Sequence, residues 1–228
     1  MAGGITLLSV MLLFLEPLVA IPLHGVIQLV SNASRTTIQR RHVRWSILAR
    51  YAAPLLPMGF LGLAVAQALS PALARTIIGV FVLVATWAPA ALLLGAHPER
   101  VEPGRRFLWL GAVVGALNVT VGATGPLIAP FFLDLGLTRQ GIIGTKAACQ
   151  TAGHLAKIAV FGVAGFAFAP YLVPLTVLCG AVMLGTWAGS RLLDRVSELW
   201  FRRLYRGVLT LIALRLVLGE ALEVLGST

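Results

Sequence analysis

Eight long apolar blocks dominate this chain and constrain its fold more than any other feature. Hydrophobic residues make up 58% of the 228 residues and charged residues only 11%, whereas a soluble domain typically carries about 25% charged residues. Because a helix crosses a bilayer with roughly 20 apolar residues, we predict an all-α polytopic membrane protein with about 7–8 membrane segments. The blocks are 4–15, 18–30, 46–69, 72–95, 106–136, 139–165, 168–190 and 204–226.

The net charge of +10 arises largely from arginines that lie in three clusters around the apolar blocks. Positively charged loops of membrane proteins face the cytoplasm and contact anionic lipid. We therefore place the three clusters in the cytoplasm and the loop near residue 70 outside, with membrane lipid as a partner. No nucleic-acid motif accompanies the arginines, so we expect no nucleic-acid partner. The clusters are Arg35, Arg40, Arg41, Arg44 and Arg50; Arg100, Arg105 and Arg106; and Arg191, Arg195, Arg202, Arg203 and Arg206.

If all three clusters lie on one side of the membrane, an even number of crossings must separate each pair. Three blocks separate the second cluster from the third, so block 106–136 cannot cross the membrane in a single pass. Its 31 residues would form a helix of about 46 Å, too long for one upright pass. Gly122, Gly125 and Pro126 interrupt it, and broken backbone at membrane depth is buried in protein or lines a cavity. We predict a broken hairpin that enters and leaves on one side, and we expect Gly125 to occupy space that a Cβ would block.

An internal repeat relates the two halves of the chain at an offset of 122 residues, as Gly3 and Gly125 illustrate. Matching Gly-interrupted segments in two halves are typical of transporters whose site lies between repeats, and the odd parity implies that the halves are inverted. We predict a first repeat at 1–98, broken at Gly3 and Gly4, and a second repeat at 99–228. The first repeat lacks a counterpart of the helix before the second break, so we expect that leading helix to be missing.

Two helical faces carry matched polar residues. An amide, a second hydrogen-bonding residue and a cation follow the spacing i, i+4 and i+7 in both halves, which places each trio on one helix face. Ionisable groups inside a membrane segment are costly, so they are candidates for function. We predict that these faces bind the substrate. They comprise Gln28, Asn32 and Arg35 in the first repeat and Gln150, His154 and Lys157 in the second, with Thr145 as an additional hydroxyl.

Structural roles are alternative interpretations of the same residues. Lys157 could snorkel or stabilise the helix bundle, and Arg35 could simply begin the arginine loop. His154 could be a packing histidine, and the two glutamines could hold neighbouring helices together.

Acidic residues are scarce in the apolar blocks: only Glu16 and Asp134 lie near the polar segments, both at segment ends. A cation transporter needs acids at mid-membrane, whereas cations, amides and half-helix N-termini suit an anion. We therefore predict a small anion as substrate, with no metal and no cofactor. Cation or metal transport through His24, Cys149 and His154 is the alternative. A membrane enzyme is less favoured, because no acid accompanies His154 on its face and no nucleophile–base pair stands out.

The second half also resembles a known signature. After the Gly-rich break, "IIGTKAACQTAGHLAKI" resembles the second-repeat signature of the sulfite exporter TauE/SafE family, and "GGITLLSVMLLFLEPLVAIPLHGVIQLVSNASR" resembles a divergent first-repeat signature. The resemblance covers essentially the whole chain. It implies a multi-pass secondary transporter of the inner (plasma) membrane that exports sulfite or organosulfonates. No P-loop motif is present, so we expect an ion or substrate gradient to supply the energy.

Overall fold

The fold is helical throughout the residues that the structure, a computed structural model, describes: 3–95, 97–132, 135–193 and 198–226. No strand occurs in these ranges, so the predicted all-α class is confirmed. Short 3-10 turns join several of the helices. The helices are α1 (Gly3–Met11), α2 (Pro17–Ile38), α3 (Trp45–Ala52), α4 (Leu55–Ala68), α5 (Pro71–Trp87), α6 (Pro103–Thr120), α7 (Gly125–Ile128), α8 (Arg139–Val163), α9 (Leu172–Leu193) and α10 (Glu198–Gly226).

Side-chain caps fix where several helices begin. Ser70 accepts the backbone N–H of Leu73 at 3.2 Å and precedes a proline, which suits the first turn of α5. At the start of α6, the Glu102 carboxylate accepts the backbone N–H groups of Gly104 and Arg105 at 3.0 and 3.2 Å. These two hydrogen bonds lower the pKa of the exposed Glu102 carboxyl. Capping hydrogen bonds to these two loop residues therefore define where both helices start.

The predicted break in block 106–136 is confirmed. Helix α6 ends before Gly122, whose φ of +84° suits glycine, and α7 starts at Gly125. The chain then turns back, because the Phe132 ring packs against that of Phe107 with centroids 5.0 Å apart. The segment thus returns to the end of the bundle where α6 began, as a hairpin requires.

The close approach expected at Gly125 is instead found at Gly122, which corrects that expectation. A Cβ at Gly125 would meet only the Gln150 amide, at an ordinary contact distance of 3.5 Å. A Cβ at Gly122 would lie 2.7 Å from the Leu8 side chain. The reason is that α1 of the first half packs on the break itself, and not on the start of α7.

Helices α2 and α8 form the centre of the molecule and run antiparallel. Gly25 faces Lys157, with 3.0 Å between the Cβ position of the glycine and the lysine Cε. Farther along, the hydroxyls of Thr36 and Thr151 are 3.1 Å apart, so numbers rise on α2 as they fall on α8. Matching helices of inverted repeats pack in this way. The division of the chain at residue 98 stays a prediction.

Small residues allow the outer helices to approach closely. A Cβ at Gly62 of α4 would collide with the Ala116 backbone of α6, and one at Gly111 would collide with the Tyr51 carbonyl. A Cβ at Gly79 of α5 would lie only 2.8 Å from a side-chain atom of α10. Membrane helices commonly pack through such small residues.

The lengths of the helices differ from the predicted spans. By length and composition, no helix in the described part of the chain can cross a membrane alone. Two bent pairs reach the length together: Trp45–Ala52 with Leu55–Ala68, bent by 40°, and Pro71–Trp87 with Pro89–Arg100, bent by 118°.

Candidate functional site

A cavity of about 550 Å³ lies at the centre of the bundle, between the two halves. Helices α1, α2, α3, α6, α7, α8 and α9 contribute to its wall, together with the break before α7. Its size is in the range of small-molecule sites. The polar and charged residues of the wall are His24, Gln28, Ser31, Asn32, Arg35, Tyr51, Asn118, Thr124, Lys146, Gln150 and His154.

Two matching glutamine–glycine corners form part of this wall. The Gln28 amide lies 3.3 Å from the Cβ position of Gly4, and the Gln150 Nε2 lies 3.5 Å from that of Gly125. In each half, therefore, the glutamine of the long central helix lies against a glycine in the first turn of the short helix: Gly4 is the second residue of α1, and Gly125 is the first residue of α7. These corners bring predicted binding residues and predicted helix-break residues together. Gly3, another predicted helix-break residue, also lines the cavity.

Among the described residues, the cations that line the cavity are Arg35 and Lys146, and Lys146 was not a predicted site residue. Arg35 is exposed at the end of α2, whereas the Lys146 side chain on α8 is only 5% exposed. Lys146 stands four residues before Gln150, so it extends the predicted polar face by one turn. It also matches His24 at the repeat offset. Either pattern could have identified it.

Lys157 lies outside the wall of the cavity. Its side chain is 1% exposed, and its Nζ donates a hydrogen bond of 2.9 Å to the Gly122 carbonyl at the break. That carbonyl belongs to the left-handed residue where regular helical hydrogen bonding stops. The lysine thus stabilises the broken backbone of its own repeat.

Thr145 also lies outside the cavity wall. Its buried hydroxyl accepts the backbone N–H of Arg44 at 3.0 Å. This bond fastens the arginine-containing connection after α2 to the beginning of α8. Pro126 is likewise absent from the wall, although its neighbour Gly125 lines it.

Amide and hydroxyl groups in the wall retain unused hydrogen-bonding capacity. Asn32 donates to the Gln28 carbonyl at 2.9 Å, and Asn118 donates to the Gly153 carbonyl at 3.0 Å. Within the described part of the chain, neither asparagine Oδ1 nor the Tyr51 hydroxyl forms a hydrogen bond, although all three are buried. Buried polar groups are normally satisfied, so these atoms are candidates for contacts with a bound solute.

Acidic side chains do not occur in the wall that the described residues form. Glu16 is exposed at the start of α2, away from the wall, and Asp134 lies outside the described residues. Cys149 is buried but does not line the cavity. The described residues contain no group of three or more His, Cys, Asp or Glu side chains that could hold a metal ion.

A family model described as "Sulfite exporter TauE/SafE" matches residues 1–216. No curated protein and no solved structure matches the chain.

Proposed function

The chain belongs to the sulfite exporter TauE/SafE family, and we propose that it exports small sulfur-containing anions, sulfite or organosulfonates, through the cavity between its halves. The family consists of integral membrane transporters for sulfite and related sulfur compounds. Placement in the inner (plasma) membrane, with the arginine clusters inside, is part of the proposal. The two-half architecture supports a secondary transporter that exposes one central site to each side in turn.

The observation that carries this proposal is the charge of the cavity. Arg35 and Lys146 place two positive charges in its wall, and the described residues of the wall contribute no carboxylate. Coulomb attraction between unit charges grows as the effective dielectric falls, so these cations attract an anion more strongly here than in water. A metal cation would meet repulsion from the same groups.

Neutral donors can supply the shape selectivity. Gln28 and Gln150 project amides from opposite halves, and the Tyr51 hydroxyl and Ser31 add two smaller polar groups to the wall. A sulfite or sulfonate group presents several oxygens in a pyramidal arrangement and can accept hydrogen bonds from different sides at once. The N-terminus of α1, where Gly3 and Gly4 line the cavity, adds the positive end of a helix dipole.

Lys157 takes a different part in this proposal from Arg35 and Lys146. Its bond to the Gly122 carbonyl supports a role in holding the break in its transport-competent shape. We keep Arg35 as a substrate-facing cation and assign the second such position to Lys146. Thr145 becomes a residue that fixes the connection between α2 and α8.

Uptake by proteoliposomes tests the proposal. Vesicles with the wild-type protein should accumulate labelled sulfite or labelled 2-hydroxyethanesulfonate, and should not accumulate labelled nickel. Lys146→Gln should reduce anion uptake by about tenfold or more, as expected for the loss of one charged contact of roughly 1.4 kcal/mol or more.

Arg105→Gln is the matched control, because it removes a positive charge that is exposed at the start of α6 and is not part of the cavity wall. Its uptake should stay near the wild-type value. Nickel uptake without anion uptake would replace this proposal by the cation alternative. Equal losses in Lys146→Gln and Arg105→Gln would remove Lys146 from the site.

A further inference from the structure

Two histidines face one another across the interface of the two halves. His24 lies on α2 and His154 on α8, with ring centroids 6.0 Å apart and planes at 79°. Both side chains are buried, 1% and 6% exposed, and both line the cavity. The proposed function assigns no role to this pair.

The hydrogen bonds of the pair leave an open position on each ring. His24 Nε2 lies 2.9 Å from the Gly4 carbonyl, so this nitrogen carries the hydrogen and donates it. In a neutral ring the Nδ1 is then a bare acceptor. Among the described residues, neither His24 Nδ1 nor His154 Nδ1 forms a hydrogen bond, although both atoms are buried. Leaving such an acceptor unsatisfied is costly, and a proton is the smallest species that could occupy it.

The charges around the pair are positive. Lys157 lies three residues after His154, and its Cε approaches Gly25, the neighbour of His24. Arg35 from α2 and Lys146 from α8 line the same cavity, and among the described residues of the wall the Tyr51 hydroxyl of α3 is the other titratable group. Among the described residues, no carboxylate lines the cavity.

This arrangement couples a proton to the anion. In the empty cavity, the neighbouring cations oppose a further positive charge on either ring. A bound anion offsets that repulsion, so the anion favours the proton and, by linkage, the proton favours the anion to the same extent.

We propose that His24 and His154 form a proton site that binds one proton together with each transported anion. The inference rests on the proposed function of the same cavity. The proton comes from water on the side to which the cavity opens, binds to a free Nδ1, and leaves to water with the anion on the other side. For a monovalent anion the transport step is then electroneutral. Export follows the outward gradient of the anion and slows when the exterior is acidic.

Proton uptake on anion binding tests this inference with purified wild-type protein. The probe is 2-hydroxyethanesulfonate, which carries no titrating proton near neutral pH, added in weak buffer with a pH-sensitive dye. For each anion that it binds, the wild-type protein should bind as much as about one proton from the solution. The double variant with His24→Gln and His154→Gln should lose most of this uptake, whereas His42→Gln, at an exposed histidine outside the cavity wall, should retain it.

A flux measurement keeps the test independent of how the variants fold. Wild-type vesicles with equal sulfonate on both sides and an alkaline interior should accumulate the sulfonate until the pH gradient dissipates. Sulfonate binding without proton uptake, or no accumulation in these vesicles, would overturn the proton site and leave anion transport standing. If the wild-type protein binds neither sulfonate nor sulfite, both proposals are wrong.

Discussion

At the scale of single residues, Lys146 and Lys157 show that residue spacing predicts the face of a helix but not the contacts of each side chain on it. Lys157 belongs to the polar face of α8 that the sequence predicts, and Lys146 extends that face by one turn. Lys146 lines the cavity, however, whereas Lys157 contacts the break. Periodicity defines a helix face, but a long side chain at the edge of that face can reach another element. Which neighbour it meets depends on how α2 and the break pack against α8, and this packing is not encoded in local spacing.

Replacing each lysine by glutamine should therefore impair different properties of the protein. Lys157→Gln leaves the buried Gly122 carbonyl without its donor, at a cost of about 1–3 kcal/mol. We expect a lower melting temperature and a lower maximal transport rate, with anion affinity within about twofold of wild type. Lys146→Gln should lose affinity instead. Titration of anion binding, together with initial rates of uptake, separates the two effects; a large affinity loss in Lys157→Gln would return that lysine to the substrate site.

At the scale of elements, the break between α6 and α7 was predictable because glycine and proline are poor in helix interiors. Its tightest point was not predictable. Gly122 and Gly125 look alike in the sequence, and only the approach of Leu8 from the other half distinguishes them. The glutamine–glycine corners are similar: the repeat predicted matching residues, but the contact depends on where each short helix begins.

Replacing Gly122 by alanine tests the geometry of the break. The positive φ and the 2.7 Å approach to Leu8 should together make Gly122→Ala destabilising, by about 1–3 kcal/mol. Thermal unfolding in detergent measures the effect. The control is Gly162→Ala near the end of α8, where a Cβ has open space, and alanine should leave stability unchanged or slightly raise it. Similar melting temperatures for both variants would show that the break tolerates a side chain.

At the scale of the whole molecule, the arginine clusters predict which loops lie on the same side of the membrane, and the directions of the helices support that prediction. Leu55 at the start of α4 lies against Gly115, with 2.9 Å between the Cβ position of the glycine and the Leu55 carbonyl oxygen, and Thr120 donates to the Gly62 carbonyl at 3.0 Å. Numbers therefore rise together, and α4 runs parallel to α6. The ends of α4 and α8 then both lie opposite the arginine-containing connection after α2. Part of the third cluster, Arg195, lies outside the described residues.

Cysteine labelling in whole cells tests this sidedness. In a background without Cys149 and Cys179, cysteines at Ser70 and Gly165 should react with an impermeant maleimide, because both positions are exposed beyond the ends of α4 and α8. A cysteine at His42, in the turn after α2, should stay protected until the cells are opened. Protection at both Gly165 and His42, with Ser70 still labelled, would mean that the segment from α6 to α7 crosses the membrane once, and the inverted arrangement would then be wrong.

The paired glutamine–glycine corners have a consequence for how similarly the protein binds its solute from the two sides of the membrane. When each half offers the solute a similar amide on a similar turn, exchanging the roles of the halves changes the binding energy little. A carrier whose inward-facing and outward-facing states are close in energy has no built-in direction of its own. We therefore expect similar apparent affinities for the anion on the two sides of the membrane, while the gradients of the anion and of the proton set the direction of net flux.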